Sequence, residues 1–206
     1  MRPLRKLLKA KKGIVGIEAA IVLIAFVVIA AALSYVVINM GFFATQKTKE
    51  TIGSGMDEAT SALQLDGSVI AKTGTGANVT YLLVPVKLSV GKSQVDLGNN
   101  TVVTSVYLPT ATLLNVYNGT STATDWTNLM NDVGEDEAKF AIFNGDGDTV
   151  LESTEKAFLA IHLSNGNALL EYDTIKVEVK TGRGAALTVV RNAPGGMTAD
   201  EFVDLG

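Results

Sequence analysis

Oxygen-bearing side chains alternate along one acidic segment, which is the only candidate ion-binding site in the sequence. At the offsets of an EF-hand loop, the segment supplies Asn144, Asp146, Asp148, Val150, Glu152 and Glu155. Such spacing lets a loop curl around a hard cation such as Ca²⁺. However, Thr149 stands where that loop needs glycine, so we reject a true EF-hand. Two interpretations stay open: a bound divalent cation, or an acidic, solvated β-turn.

The sequence offers little support for catalysis. His162 is the single histidine and shares a strand-like alternation with Phe158 and Ala160, which favours a surface or interface residue over a base. The absence of cysteine excludes thiol chemistry and disulfide bonds. Trp126, the single tryptophan, indicates local packing or an outer contact, with a carbohydrate platform as the alternative. We therefore expect no enzyme activity and no required cofactor.

Three sequons for N-linked glycosylation begin at Asn78, Asn99 and Asn118. Each falls in a predicted turn or at the edge of a predicted strand, where a glycan would be accessible. A chain rich in Thr and Asn also produces sequons by chance, so ordinary turn residues remain the alternative. We expect an N-linked glycan on at least one of the three asparagines.

These residues lie in a segment whose residue pattern is typical of β-structure. Leu82–Val90 alternates as a strand with one buried face, and Pro85 within it suggests an edge position or a bulge. Further strand candidates are Val102–Leu108, Ala111–Tyr117, Lys139–Phe143, Ala157–Leu163, Thr174–Lys180 and Ala186–Arg191. Strands of this length between turns predict an immunoglobulin-like antiparallel β-sandwich over residues 66–206. A helical turn is expected near Asp125–Asp132.

A long apolar stretch, residues 14–40, precedes this domain and carries one charge, Glu18. As a helix, Ala19–Ile38 would span about 30 Å, the thickness of a bilayer's hydrocarbon core. The helical pattern continues as an amphipathic segment until Gly67, which follows Leu65 as a stop signal. We predict one helix over residues 14–65 in an α+β protein. Such a helix lies in lipid, packs against copies of itself, or does both in turn.

A basic leader runs directly into the helix. Six of the 17 basic residues lie in Met1–Gly13, so the other 11 face 21 acidic residues in the rest of the chain. This acidic remainder argues against nucleic-acid binding. The leader's charge fits retention in the cytoplasm while the rest is exported.

The small residue of a cleavage site stands before the apolar segment rather than after it. Gly13 follows Lys12, and a cut behind it would free the helix at Ile14. An uncleaved signal anchor is the alternative. Glu18 favours cleavage, because an acid in lipid is costly and the new amino group of Ile14 would be a cation about one turn away. Alternatively, Glu18 lies among the lipid headgroups.

Residues Lys11–Ala20 resemble the class III signal of type IV pilin-like subunits, and Asn39–Ile52 resembles the archaeal flagellins, or archaellins. The resemblance is specific from Lys11 to about Val69 and weaker beyond. It implies that Gly13 precedes the prepilin-peptidase cut and that Glu18 is the acid at the fifth mature position. Residues 1–13 would then be a cleaved signal, residues 14–65 would enter the filament core, and residues 66–206 would form its shell.

The resemblance also implies the partners and the location. We expect a self-assembling subunit of an extracellular archaellum filament, made as a precursor in the cytoplasmic membrane. Its further partners would be prepilin peptidase and the archaellum motor and assembly proteins of the membrane. Two alternatives stay open: a static adhesion pilus with the same leader, and a membrane-anchored extracellular binding module that keeps it.

Overall fold

The computed structural model describes residues 4–59, 62–91 and 94–206, with side chains from Val15 onward. Helix α1 runs from Leu4 to Ala59 and therefore begins within the leader. The leader continues the helix because Leu, Lys, Arg and Ala are good helix formers. By length and composition alone, Val15–Ala59 could cross a membrane.

The predicted helix end at Leu65 is wrong. α1 ends at Ala59, and Leu63–Leu65 is a strand, β1, which pairs with β3 (Val79–Leu88). Leu63 is buried there opposite Leu88. The apolar spacing before Gly67 suits a helix and a strand equally, so burial against β3 decides between them.

The chain divides into two compact units, Met1–Ser54 and Gly55–Gly206. The first unit holds most of α1, and we call the part of the second unit that follows α1, residues 62–206, the β body. Besides β1 and β3, the strands of the β body are β2 (Ile70–Thr73), β4 (Gln94–Asp96), β5 (Val102–Tyr107), β6 (Thr112–Leu113), β7 (Tyr117–Ser121), β8 (Glu137–Phe143), β9 (Val150–Glu152), β10 (Lys156–His162), β11 (Thr174–Thr181), β12 (Leu187–Asn192) and β13 (Phe202–Asp204). A short helix, α2, spans Trp126–Asp132.

Two sheets pack face to face in the β body. One has the order β13-β2-β3-β10-β8-β7, with β1 also paired to β3, and the other has the order β12-β11-β5-β6. A small third sheet joins β4 to β9. The buried core draws on both large sheets: Leu82, Val84, Phe140, Leu159 and Ile161 from the first, and Val106, Ile175 and Val177 from the second. The predicted β-sandwich behind a long apolar helix is confirmed.

Two details of the predicted sandwich are wrong. Strand β7 pairs with β8 in parallel, so the larger sheet is not purely antiparallel. The predicted strand Ala111–Tyr117 divides into β6 and β7, because Asn115 between them has a φ of 52°. A residue in the left-handed region interrupts an extended strand.

Pro85 lies in an interior strand, contrary to the predicted edge or bulge. β2 pairs with β3 as far as Leu83, and β1 pairs from Val86 onward, so Pro85 stands between the two. Its carbonyl accepts a bond from Asp66 N on that side, at 3.0 Å. The N and C=O groups of one strand residue point to the same side, so the nitrogen of Pro85, which carries no hydrogen, also faces the gap between β1 and β2. No hydrogen bond of the sheet is lost there.

An ion triad lies just past β1. The carboxylate of Asp66 is 2.7 Å from the ammonium of Lys156 and 2.8 Å from that of Lys87. Hydrogen bonds from Lys156 and then Lys87 hold the pKa of Asp66 below its ordinary value of 3.8. The triad joins the end of β1 to two strands of the larger sheet.

Helix α2 covers part of the outer face of the larger sheet, where a helical turn was predicted. Asp125 is its N-cap and accepts a bond from Asn128 N at 2.8 Å. Leu129 of α2 is buried in a second cluster with Leu83, Val133, Ala141 and Ala160. The outer face is thus apolar beneath α2 and more polar elsewhere.

Candidate functional site: the apolar helix and the exposed loops

The surface of α1 is the largest apolar feature of the chain. All described α1 side chains, from Val15 to Ala59, are exposed within the subunit. Large apolar residues recur all round the helix rather than on one stripe, among them Ile21, Leu23, Phe26, Val27 and Leu33. Burying such surface is worth about 25 cal/mol per Å², so this helix requires a partner that is lipid or protein.

Four hydroxyl groups on α1 find hydrogen-bond partners within the helix. The hydroxyls of Ser34 and Thr45 donate to the carbonyls of Ala30 and Gly41, four residues earlier, at 2.8 and 2.7 Å. Thr48 and Thr51 donate in the same way. A hydroxyl with an internal partner costs less in an apolar environment than a free one. These side chains therefore leave α1 suited to dry surroundings.

Glu18 is the exception on the apolar part of α1. Its side chain is exposed, and no ion pair of the described residues involves it. An isolated carboxylate there favours a partner supplied from outside the described part of the subunit. The processing residues Lys12, Gly13 and Ile14 belong to the helical backbone, but their side chains lie outside the described residues. The predicted cut after Gly13 therefore stays a prediction.

The three sequons have different surroundings. Asn78 is half-buried at the turn between β2 and β3, and the hydroxyl-bearing Thr80 of its sequon is 7% exposed. Asn99 is exposed in a turn before β5. Asn118 is exposed within β7, although a turn was predicted there, and its Nδ2 donates to Glu137 Oε2 at 3.1 Å. Glycan attachment at these sites stays a prediction.

The carboxylates of the acidic segment bind backbone N–H groups. Asp146 Oδ1 accepts from Asp148 N at 3.2 Å, and Asp148 Oδ1 accepts from Val150 N at 2.8 Å. Glu155 is buried and accepts from Glu152 N at 2.9 Å. Val150 and Glu152 also belong to β9, whose partner is β4.

This arrangement matches the turn interpretation of the acidic segment better than the cation interpretation. Among the described residues there is no group of three acidic or histidine side chains placed to hold a metal ion. Asn144 has a φ of 60°, which turns the chain at the start of the segment. Cation binding by this segment therefore stays a prediction without support from the geometry.

The single histidine, His162, and the single tryptophan, Trp126, both pack against other aromatic rings. His162 stacks on Tyr81 with ring centroids 4.1 Å apart, and its Nδ1 lies 3.2 Å from the carbonyl oxygen of Val133. Trp126 contacts Phe158 edge-on at 4.4 Å and lies 5.6 Å from Phe143. The ring of Trp126 is thus engaged in local packing, as one of the three interpretations held.

Sequence reasoning missed the contacts that join distant turns. The Tyr117 hydroxyl donates to the Leu97 carbonyl, and burial raises the pKa of this phenol. The segment before β5 therefore lies against β7. No local pattern reports such a contact, because two strands, β5 and β6, and their connecting loops separate the two residues along the chain.

Comparison with known proteins agrees with this architecture. The family described as archaeal-type flagellin matches residues 13–191. A protein named "Probable flagellin 1" from Aeropyrum pernix is 43% identical over 97% of this chain and 100% of its own length. Another "Probable flagellin 1", from Archaeoglobus fulgidus, is 36% identical over 92% of this chain and 93% of its own. The structure of the archaeal flagellum of Methanospirillum hungatei aligns with a TM-score of 0.55 and 29% identity, covering 89% of this chain and 96% of that one.

Proposed function

This chain belongs to the archaeal-type flagellin family, and from that premise we propose how it is made, exported and assembled. It is a structural subunit of the archaeal flagellum filament. The filament is extracellular, and the subunit polymerises with copies of itself. The static adhesion pilus and the anchored binding module are not favoured by these relationships.

The observation that carries the assembly mechanism is the exposed apolar surface of α1. A helix that is apolar on every side must be covered, and lipid covers it before assembly in this proposal. Neighbouring α1 helices then replace the lipid. The transfer costs little hydrophobic free energy, because one apolar environment replaces another.

Prepilin peptidase is the proposed processing enzyme, cutting between Gly13 and Ile14. The cut removes the basic leader, which otherwise holds the N-terminus at the cytoplasmic face. It also creates an α-amino group about one helical turn from Glu18. That cation, from the same or a neighbouring subunit, is the partner we assign to the carboxylate of Glu18 inside the filament.

The remaining proposals concern the surroundings of the filament. A membrane motor with its assembly proteins inserts the subunits and turns the filament for swimming. The β body forms the outer surface, where it carries N-linked glycans. We also propose that the acidic segment binds a divalent cation. If it does, removing metal with a chelator should lower the unfolding temperature of the filament.

The proposed function is tested on filaments sheared from cells. We expect their subunit to begin at Ile14 by N-terminal sequencing. Cells of a strain that lacks this chain should no longer swim but should still attach to surfaces. Filaments that lack the chain, or that contain it with Met1 in place, would contradict the proposal.

A variant pair isolates the cleavage step. Gly13→Val should leave a full-length precursor in the membrane fraction and no sheared filament, because the residue beside the scissile bond has become large. The matched control is Ala10→Val, a change of similar size within the leader, which should leave both cleavage and filaments intact.

A further inference from the structure

Three asparagines of the β body are followed directly by glycine, and we call these the Asn-Gly pairs: Asn118-Gly119, Asn144-Gly145 and Asn165-Gly166. In such a pair the backbone nitrogen of the glycine can attack the side-chain amide of the asparagine. Glycine permits this ring closure because it has no Cβ atom to obstruct it. The three pairs consist of the same two residues, so a difference in their reactivity has to come from the fold.

The pair at Asn165 and Gly166 forms the exposed centre of a turn. The nitrogen of Asn167 donates to the carbonyl of Ser164 at 2.9 Å, which closes the turn around the two residues. Both residues of the pair are exposed, and a Cβ atom placed on Gly166 would have no neighbour within 4 Å. Among the described residues, neither the side chain of Asn165 nor the nitrogen of Gly166 has a hydrogen-bond partner. Both reacting groups are therefore free and open to water.

Asp136 fixes the two ends of this turn and leaves its centre unbound. Its carboxylate accepts from the nitrogen and the hydroxyl of Ser164 at 2.9 and 2.8 Å, and from Asn167 Nδ2 at 3.0 Å. Burial raises the pKa of Asp136, but the hydrogen bonds from Ser164 and Asn167 outweigh burial and hold this pKa below its ordinary value of 3.8. Asp136 is therefore ionised at neutral pH, and residue 165 stands in the chain between its two partners.

The pair at Asn118 and Gly119 is held by its neighbours. Asn118 Nδ2 donates to Glu137 Oε2 at 3.1 Å, so the amide is already engaged. Gly119 is buried within β7, and a Cβ atom placed on it would lie 3.6 Å from Cβ of Asn99. Ring closure at this pair requires β7 to open first.

The pair at Asn144 and Gly145 is exposed but obstructed. A Cβ atom placed on Gly145 would lie 2.9 Å from Cγ2 of Ile142 and 3.1 Å from Oε1 of Glu155, so this glycine packs closely on both side chains. Ring closure requires the glycine nitrogen to become an anion, and a carboxylate so close disfavours a second negative charge. The fold therefore slows the reaction at this pair as well.

We propose that Asn165 is a modification site, at which the folded β body converts asparagine into aspartate and isoaspartate without an enzyme, while Asn118 and Asn144 are preserved. The inference goes beyond the proposed function, because it depends on the fold of the β body and not on filament assembly. It assigns a slow gain of one negative charge to the turn that Asp136 holds.

The reaction needs only water as a co-reactant. The nitrogen of Gly166 loses its proton to hydroxide and attacks Cγ of Asn165, so that a C–N bond forms and closes a five-membered imide. The bond between Cγ and Nδ2 breaks, and Nδ2 leaves as ammonia after taking a proton from water. Water then opens the ring at Cγ to give aspartate, or at the backbone carbonyl to give isoaspartate. No atom is oxidised or reduced.

The site is tested by incubating the detergent-solubilised chain at neutral pH and analysing its peptides by mass spectrometry. The peptide containing Asn165 should lose the mass of ammonia and gain that of water, and an isoaspartyl methyltransferase should label it. The chain unfolded in guanidinium chloride is the control, because all three pairs are open there.

The comparison of folded and unfolded rates decides the assignment. Folding should slow the reaction at Asn118 and Asn144 at least about tenfold, because a held pair reacts only after local opening, and should leave Asn165 near its unfolded rate. An unmodified Asn165 would overturn the proposal. Folded rates at Asn118 or Asn144 equal to that at Asn165 would overturn it too.

Gly166→Ala separates the chemistry from the fold. The added Cβ atom has open space in the folded turn, and the φ of Gly166 lies outside the left-handed region, so the variant should fold like the wild type. The same Cβ atom obstructs closure of the imide ring. The variant should lose the modification at Asn165 and keep the wild-type rates at Asn118 and Asn144. Unchanged modification of Asn165 would overturn the proposed route through the nitrogen of Gly166.

The effect of the modification on the turn is measured by ageing the two proteins. Isoaspartate adds one carbon to the backbone of a turn whose ends are fixed by Asp136, and both products add a carboxylate between the partners of that charge. The unfolding temperature of the wild type should therefore fall during incubation, whereas that of Gly166→Ala should stay constant. An equal change in both proteins would overturn this effect on the turn.

Discussion

Large apolar side chains are exposed throughout α1, from Val15 to Met56, whereas those of the β body are mostly buried between its sheets. The backbone groups of α1 bond to one another along the helix, and hydroxyls such as those of Ser34 and Thr45 donate to carbonyls of the preceding turn. The helix therefore needs no tertiary partner in order to form. The β body needs tertiary partners for every strand. The comparison teaches that one region is folded by its own core, while the other is completed only by its environment.

The largest effect is expected from a charge on α1. Phe26 is 72% exposed and has no role in the core of the subunit. Phe26→Lys should abolish filaments and leave the β body folded, because a lysine at the centre of an apolar helix costs about 2.5–3.5 kcal/mol per subunit. Electron microscopy of the sheared fraction measures the loss.

Val90→Lys is the control for this change, since Val90 is 94% exposed in the β body. It should leave filament number near that of the wild type. Equal loss with both substitutions would break the comparison between the two regions.

The second effect belongs to the core of the β body. Phe140 is fully buried and contacts Tyr117 edge-on, with ring centroids 5.7 Å apart. Phe140→Ala should lower the free energy of unfolding by about 3–5 kcal/mol, as expected for removal of a buried aromatic ring. Urea unfolding of the detergent-solubilised chain, followed by the fluorescence of Trp126, measures it.

Phe202→Ala is the matched control, because Phe202 is 53% exposed on β13. Its cost should be well below that of Phe140→Ala. Helicity of α1 in detergent should be unchanged in both variants, and a parallel loss of helix would show that the two regions do not fold independently.

A smaller effect of opposite sign is expected at Thr104 of β5. Its hydroxyl is buried without a hydrogen-bond partner among the described residues. Thr104→Val should raise the free energy of unfolding by about 1 kcal/mol, because it removes an unsatisfied polar atom and keeps the shape. The exposed Thr112→Val is the control and should change little in the same urea titration.

The smallest effect concerns pH and the Asp66 triad. The folded pKa of Asp66 lies below its ordinary value of 3.8, so the carboxylate adds stability above that pH. This stability is lost as the pH falls below 3.8 through the folded pKa. Asp66→Asn should therefore be less stable than wild type at neutral pH, with the difference narrowing in acid.

Thermal unfolding of the two proteins between neutral pH and pH 3 measures this narrowing. The conservative change keeps the side-chain volume, so packing is held nearly constant. A difference that stays constant across the whole range would show that the charge of Asp66 contributes nothing.

The sequence predicted those parts of the fold that depend on local pattern. Uninterrupted apolar residues identified α1, and alternation identified β3, β10 and β11 to within a few residues. The helix end was misplaced, because Leu63 and Leu65 fit a helical face until β3 is there to bury them. Strands as short as β4, β9 and β13 hold too few residues for alternation to be visible.

The candidate sites also divide into features visible in the local sequence and features that arise from tertiary packing. The motifs of Glu18 and of the three sequons were visible as spacing along the chain. The contact between Asn99 and Gly119 was not, because it arises from the packing of a turn against β7. The roles of Asp146 and Asp148 could not be decided from the sequence either. The same pattern of acidic residues fits carboxylates that cap a turn and carboxylates that bind a cation.

The position of β1 determines where mechanical load enters the β body. Any pull or twist transmitted along the backbone from α1 reaches β1 first, and β1 is hydrogen-bonded to β3, an interior strand of the larger sheet. Asp66 then ties the same point to Lys87 and Lys156. A force entering at this point would act on the middle of the larger sheet and would be shared by several strands at once, rather than being borne by one strand at the sheet's edge.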